Sequence, residues 1–234
     1  MALFAIADTH LSKSTGKTMN IFNGWEDYEQ RLEKNWRALV RDTDTVIIPG
    51  DISWAMSLDE GIEDFAFLNS LPGTKILMKG NHDYWWSTKK KADSFFAAHS
   101  FDTLNILHNN AYVCGEIALC GTRGWFFDAE NDGDKKVLLR EAGRLRTSIA
   151  AAKETGKEPV VFLHYPPVSV ERKCDEIYNV LVEEQIHRCY YGHLHSYAHS
   201  AAYTGTDENG IRFSLISGDY LKFCPALVPE LSYK

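Results

Sequence analysis

Five short apolar runs in this chain stop abruptly on residues that bind metal ions, and that coincidence restricts the fold more than any other feature. Residues 3–7 run into Asp8-Thr9-His10, and residues 45–48 lead to Gly50-Asp51. Residues 75–78 lead to Gly80-Asn81-His82-Asp83, 159–163 to His164, and 187–191 to Gly192-His193-Leu194-His195. Apolar, β-branched runs of this length bounded by Gly, Asn and Asp read as strands. Further strands are expected at 111–113, 117–120 and 213–217. Between the strands, Trp25, Tyr28, Leu32, Trp36 and Leu39 recur at helical spacing, as do Ile177, Val180 and Leu181. Residues 87–98 and 135–153 read as two more helices. Strands alternating with helices predict a layered α/β domain.

In an open α/β sheet the loops at the carboxyl ends of parallel strands converge on one crevice, so the five clusters predict a single site. Asp8, His10, Asp51, Asn81, His164, His193 and His195 offer two carboxylates, one amide oxygen and four imidazoles. That exceeds the needs of a single ion of ordinary coordination number. With one carboxylate bridging, the set suits two ions about 3.5–4 Å apart, the separation used by two-metal hydrolases. In Asp8-Thr9-His10 and His193-Leu194-His195 the paired residues are two apart, which on extended backbone turns both side chains to one side. Glycines before Asp51, Asn81 and His193 permit tight turns and close backbone approach. Singly, each cluster has a plainer reading: His164 as a satisfied core histidine, Gly-Asn-His as a turn. Only together, each at a strand end, do they point to metal.

The remaining features bound the protein's class. At 234 residues the chain can bury about 70% of its unfolded surface, and residues 1–234 are expected to form one domain that needs no disulfide or structural metal. Five cysteines, an odd number without C-x-x-C spacing, read as free thiols of a reducing compartment. No apolar run approaches the ~18 residues of a membrane span. The amino terminus lacks a basic region and cleavage site, so a cytoplasmic location is expected. A net charge of -7 gives no general attraction to nucleic acid. Lys89-Lys90-Lys91 reads as a solvated helix face, and the acidic loop 128–134 lacks the closing glutamate of a calcium loop. Oligomeric state is not legible.

The ordered motifs D-x-H, G-D, G-N-H-D, a single His and G-H-x-H resemble those of the calcineurin-like metallophosphoesterases, in particular a bacterial subgroup of predicted phosphohydrolases. Here they are Asp8-Thr9-His10, Gly50-Asp51, Gly80-Asn81-His82-Asp83, His164 and Gly192-His193-Leu194-His195. The resemblance implies a four-layer α/β-β/α sandwich with a dinuclear site of Mn, Fe or Zn at its rim. It implies Asp8, His10, Asp51 and His195 around one ion, and Asp51, Asn81, His164 and His193 around the other, with Asp51 bridging. Many relatives carry an acidic residue three positions after the G-D aspartate, where Trp54 stands here. Trp54 reads as packing or as a wall for a substrate group.

The expected activity is hydrolysis of a phosphoester, diester or monoester, by in-line attack of hydroxide held between the two ions. His82 is the candidate acid for the leaving oxygen, with Asp83 orienting its ring. Arg123, after a strand and before Gly124, is a candidate ligand for a substrate phosphate, with an ordinary salt bridge as its plainer reading. Tyr84, Trp85 and Trp86 suit either core packing or an aromatic face for the substrate. The alternative function is a catalytically silent metal-binding interaction module on the same fold.

Overall fold

A strand that is apolar on both faces must be covered on both, and the period-two alternation decides which layer each residue joins. The elements are β1 (Leu3–Ala5), α1 (Tyr28–Leu39), β2 (Thr45–Pro49), α2 (Ile62–Ser70), β3 (Thr74–Met78), α3 (Lys89–Ala98), β4 (Leu104–Ile106) and β5 (Tyr112–Cys114). They continue with β6 (Ile117–Thr122), α4 (Asp132–Glu154), β7 (Glu158–Leu163), α5 (Asp175–Glu183), β8 (Arg188–Tyr191), β9 (Gly205–Thr206), β10 (Arg212–Leu215) and β11 (Ala226–Val228). Val46, Ile48 and Leu77 pack outward against α1 to α3, while Ile47, Ile76 and Met78 face inward. In the second half, Ile117, Leu119, Val160 and Phe162 join that inner layer, and Ala118, Cys120, Val161 and Leu163 pack outward with α4 and α5.

The computed structural model, which describes residues 1–125 and 131–230, therefore stacks helices, sheet, sheet and helices, the sandwich expected. One sheet has the order β11-β1-β2-β3-β4, parallel except for β11. The other runs β5-β6-β7-β8-β10-β9, with a parallel centre and antiparallel edges at β5 and β9. Register places Leu163, Tyr191 and Leu215 in one row, and Pro49 beside Met78. The carboxyl ends of the parallel strands are thus level, and the loops that leave them reach one rim.

Three short strands and one helix escape the sequence pattern. β4, β9 and β11 have two or three residues each, too few to display alternation. α2 buries only Asp64, Phe65 and Leu68. The stripe read as one helix from Trp25 begins at Tyr28, and Leu39 at its far end is exposed. Of the acidic stretch read as a loop, residues 128–130 lie outside the described residues. Asn131 instead caps α4, its side chain accepting from the amide of Asp134, so the helix starts at Asp132 rather than at 135. All five cysteines are free. Among the described residues, no helix is long and apolar enough to cross a membrane.

Candidate metal centre

Backbone bonds lash the strand-end loops together before any side chain is considered. Asp8 N donates to Gly50 O (3.0 Å), His10 N to Asp51 O (2.9 Å), and Gly192 N to His164 O (3.1 Å). A methyl group at Gly80 would lie 2.1 Å from Asp51 Oδ1, and one at Gly192 would lie 2.5 Å from Asp8 Oδ2. Both positions demand glycine because a carboxylate occupies the space a side chain would fill.

All seven predicted donors meet at this rim. His10 Nε2 is 3.4 Å from His195 Nε2 and 3.7 Å from Asp51 Oδ2. Asp8 Oδ1 lies 3.6 Å from His195 Nε2 and 3.7 Å from His164 Nδ1. His164 Nε2 is 3.5 Å from Asp51 Oδ2 and 2.6 Å from Asn81 Oδ1. The donors fall into two groups, Asp8 with His10 and His195, and Asp51 with His164 and His193, each with its ligand atoms within 4.8 Å of one another. Asp8, His10, Asp51, Asp83 and His164 are buried, and His193 and His195 are partly exposed.

The charge balance is that of a site built for cations. Burial, together with repulsion from Asp51, pushes the Asp8 carboxyl up to about 7, and burial raises Asp51 too. Burial, reinforced by the neighbouring imidazoles, holds His10 and His164 well below the usual histidine range and takes His193 down to about 2. Neutral imidazoles keep lone pairs free, and carboxylates costly to ionise alone are stabilised by an adjacent cation. Asp8 Oδ1 is buried without a hydrogen bond, as a ligand oxygen awaiting an ion would be. The residues present therefore fit two metal ions.

The route to this geometry differs from the expectation. Asp8, His10, Asp51 and His193 have φ of 59°, 41°, 51° and 72°, in the left-handed region that non-glycine residues rarely occupy. Asp8 and His10 thus converge through kinks in the chain, not along an extended segment.

Asp83 also departs from its expected role. Its carboxylate accepts from the amides of Gly80 (2.7 Å), Asp51 (2.8 Å), Ile52 (2.8 Å) and Ser53 (3.3 Å) and from Trp85 Nε1 (2.9 Å). Both oxygens are spent on fixing the Asp51 loop, and the His82 Nδ1 atom is buried without a partner. Asp83 therefore does not orient the His82 ring. That ring is held instead by Trp54, 4.7 Å away, and by its own backbone amide, which donates to Asp51 Oδ1 (2.8 Å). Trp54 also stacks on His10 at 4.9 Å, so the residue replacing the relatives' acid walls the site. Of the adjacent aromatics, Trp85 is core, whereas Tyr84 is exposed and 6.1 Å from His82. Arg123 turns its guanidinium to Glu141, 4.0 Å away, and over the Trp125 ring.

One acidic residue at the rim was not anticipated. Asp219 Oδ1 accepts from His195 Nδ1 (2.9 Å), while its Oδ2 accepts from Ser196 N (2.8 Å) and lies 3.2 Å from His199 Nε2. Despite its burial, the His195 hydrogen bond holds Asp219 below the usual carboxylate range. Against the opposing effect of its own burial, the Asp8 and Asp219 carboxylates raise His195. The signal existed: the strand read at 213–217 is followed by Gly218-Asp219, repeating the pattern of Gly50-Asp51.

The fold has counterparts among solved structures. AQ665 from Aquifex aeolicus, a protein of unknown function, is 17% identical with a TM-score of 0.55, and the match covers 97% of this chain and 95% of that one. The phosphopantetheinyl hydrolase PptH from Mycobacterium tuberculosis is 16% identical with a TM-score of 0.56, covering 100% of this chain and 97% of that one. At such identities the likeness is one of fold. No curated protein matches the chain. The family model of calcineurin-like phosphoesterases matches residues 1–197, and it is to this family, metal-dependent hydrolases of phosphoesters, that the chain belongs.

Proposed function

We propose that the protein hydrolyses a phosphoester at a dinuclear centre, with Asp8, His10, Asp51 and His195 holding one ion and Asp51, Asn81, His164 and His193 the other. The observation that carries this reading is the pairing of two donor groups with Asp51 Oδ2 between them, 3.7 Å from His10 Nε2 and 3.5 Å from His164 Nε2. When bound, the two cations supply charge at the phosphoryl oxygens and acidify water toward neutrality. The protein's own part is positional. The Asp83 carboxylate fixes the backbone of residues 51–53 through three amides and its own loop through that of Gly80, and so holds Asp51 where both groups reach it. Asp219 fixes the His195 ring so that Nε2 faces the site.

His82 supplies the proton that the departing oxygen needs. Its Nδ1 is buried without a hydrogen bond, and Nε2 is the end it offers to a substrate. Trp54, stacked on His10 and packed against His82, keeps the ring over the centre and excludes water from one side. The direct test loads the protein with Mn²⁺, counts metal by elemental analysis and assays bis(p-nitrophenyl) phosphate. Two ions per chain with turnover are expected, both lost on Asp51→Asn. Full metal content without turnover on any phosphoester would favour the silent binding module.

A further inference from the structure

Deepening the phosphoester reading on which it rests, we propose that Lys79, Arg123 and Arg144 form an anion subsite beside the candidate metal centre, and that the substrate carries a second phosphate besides its scissile ester. These residues share a recess with His108, Thr122 and Glu141. Glu141 is 1% exposed; it accepts from Thr122 Oγ1 and Arg144 Nη1, each at 2.5 Å, and Arg123 Nη2 stands 4.0 Å away. Two guanidinium groups thus share one carboxylate whose two oxygens are already engaged, and the Lys79 ammonium lines the same recess. Lys79 is half-buried and has no hydrogen bond or ion pair among the described residues. Desolvating a cation beside two others is unfavourable unless an anion joins them, and in a chain of net charge -7 the local excess is not a general trend.

Two cations of the recess stand at the roots of the rim loops. Lys79 lies between β3 and Asn81, and Arg123 directly follows β6, its carbonyl accepting from Tyr165 N (2.9 Å) next to His164. Its volume, ≈ 20 Å³, admits about one water, so the anion sits across the mouth, within reach of the guanidinium forks. The positive charge left uncompensated among the described residues matches a phosphate monoester, which carries about -1.5 to -2, better than a carboxylate.

The test measures binding of alkane bisphosphates of increasing spacer length, and of the matching monophosphates, to the Mn²⁺-loaded full chain by calorimetry. At least one spacer is expected to bind about tenfold more tightly than its monophosphate, and Lys79→Gln or Arg144→Gln to bring that ratio close to one. Lys79→Gln leaves the bonds of Glu141 intact, so it reports even where Arg144→Gln fails to fold. A ratio near one at every spacer, or a preference that survives both substitutions, overturns the proposal. Because binding is read independently of turnover, a preference for bisphosphates in a parent protein that hydrolyses no phosphoester, diester or monoester, would leave the subsite standing and sink the catalytic reading.

Discussion

His82 and Asp219 are each tied by one hydrogen bond to a residue of the centre, His82 through its amide to Asp51 and Asp219 to His195, and the two residues differ in what they should change. His82→Ala is expected to retain both metal ions and to lose about 10²–10⁴-fold in kcat, most severely with alkyl leaving groups, which need a proton more than p-nitrophenolate does. Equal rates for parent and variant on an alkyl ester would remove His82 from the acid role. Asp219→Ala is expected to weaken the ion held with His195 by about 10–100-fold while leaving the His164 and His193 side untouched, so metal titration should split into two unequal steps. Asp219→Glu should partly restore the weak step; a uniform loss of both ions would mark Asp219 as merely structural. The seven donors were legible because each sits at the end of an apolar run. The partnership imagined for Asp83 was not, because adjacency to His82 says nothing about which way a carboxylate points. Backbone amides of residues 51–53 drew it inward.

At the scale of elements, Lys75 shows a cost hidden inside a strand. It is buried in β3, and its Nζ donates to Leu71 O (2.6 Å) and Gly73 O (2.7 Å), just past the end of α2. Burial, only partly offset by Asp42, brings its pKa down from 10.5 to about 8. Below pH 8 the ammonium is charged in folded and unfolded chains alike, and the burial penalty is fully present. Between about 8 and 10.5 the unfolded chain still holds the proton that the folded chain has released, so this residue's contribution makes stability rise with pH. Urea midpoints of parent and Lys75→Met, compared from pH 7 to 10, should diverge by roughly 2–3 kcal/mol in the parent's favour as pH rises. Parallel profiles would contradict the assignment. In the sequence Lys75 reads as the polar start of a strand; only the turn at Gly73 brings the carbonyls over its ammonium.

For the whole molecule, the three apolar clusters contain none of the metal donors, so chelation should leave the secondary structure intact and lower Tm. With each of two ions at about 100 times its dissociation constant, a loss of about 2.7 kcal/mol per ion, roughly 5.4 kcal/mol for the pair, corresponds to about 10–20 °C, measured by far-UV circular dichroism with and without EDTA. Because both sheets share the inner layer, we expect residues 1–234 to unfold in one transition; two separated transitions would refute a single domain. By itself the sequence determined the layer architecture and picked out the seven residues that meet at the rim. Alternation along strands and the choice of residue at each strand end are local, and the chain order of motifs is read directly. Tertiary structure alone decided what the donors' neighbours do: that Asp219 backs His195, that Asp83 serves the backbone, and that Lys79, Arg123 and Arg144 share one recess. Such pairings join residues far apart in the chain, and side-chain direction at a kinked, left-handed turn is set by packing that no local pattern encodes.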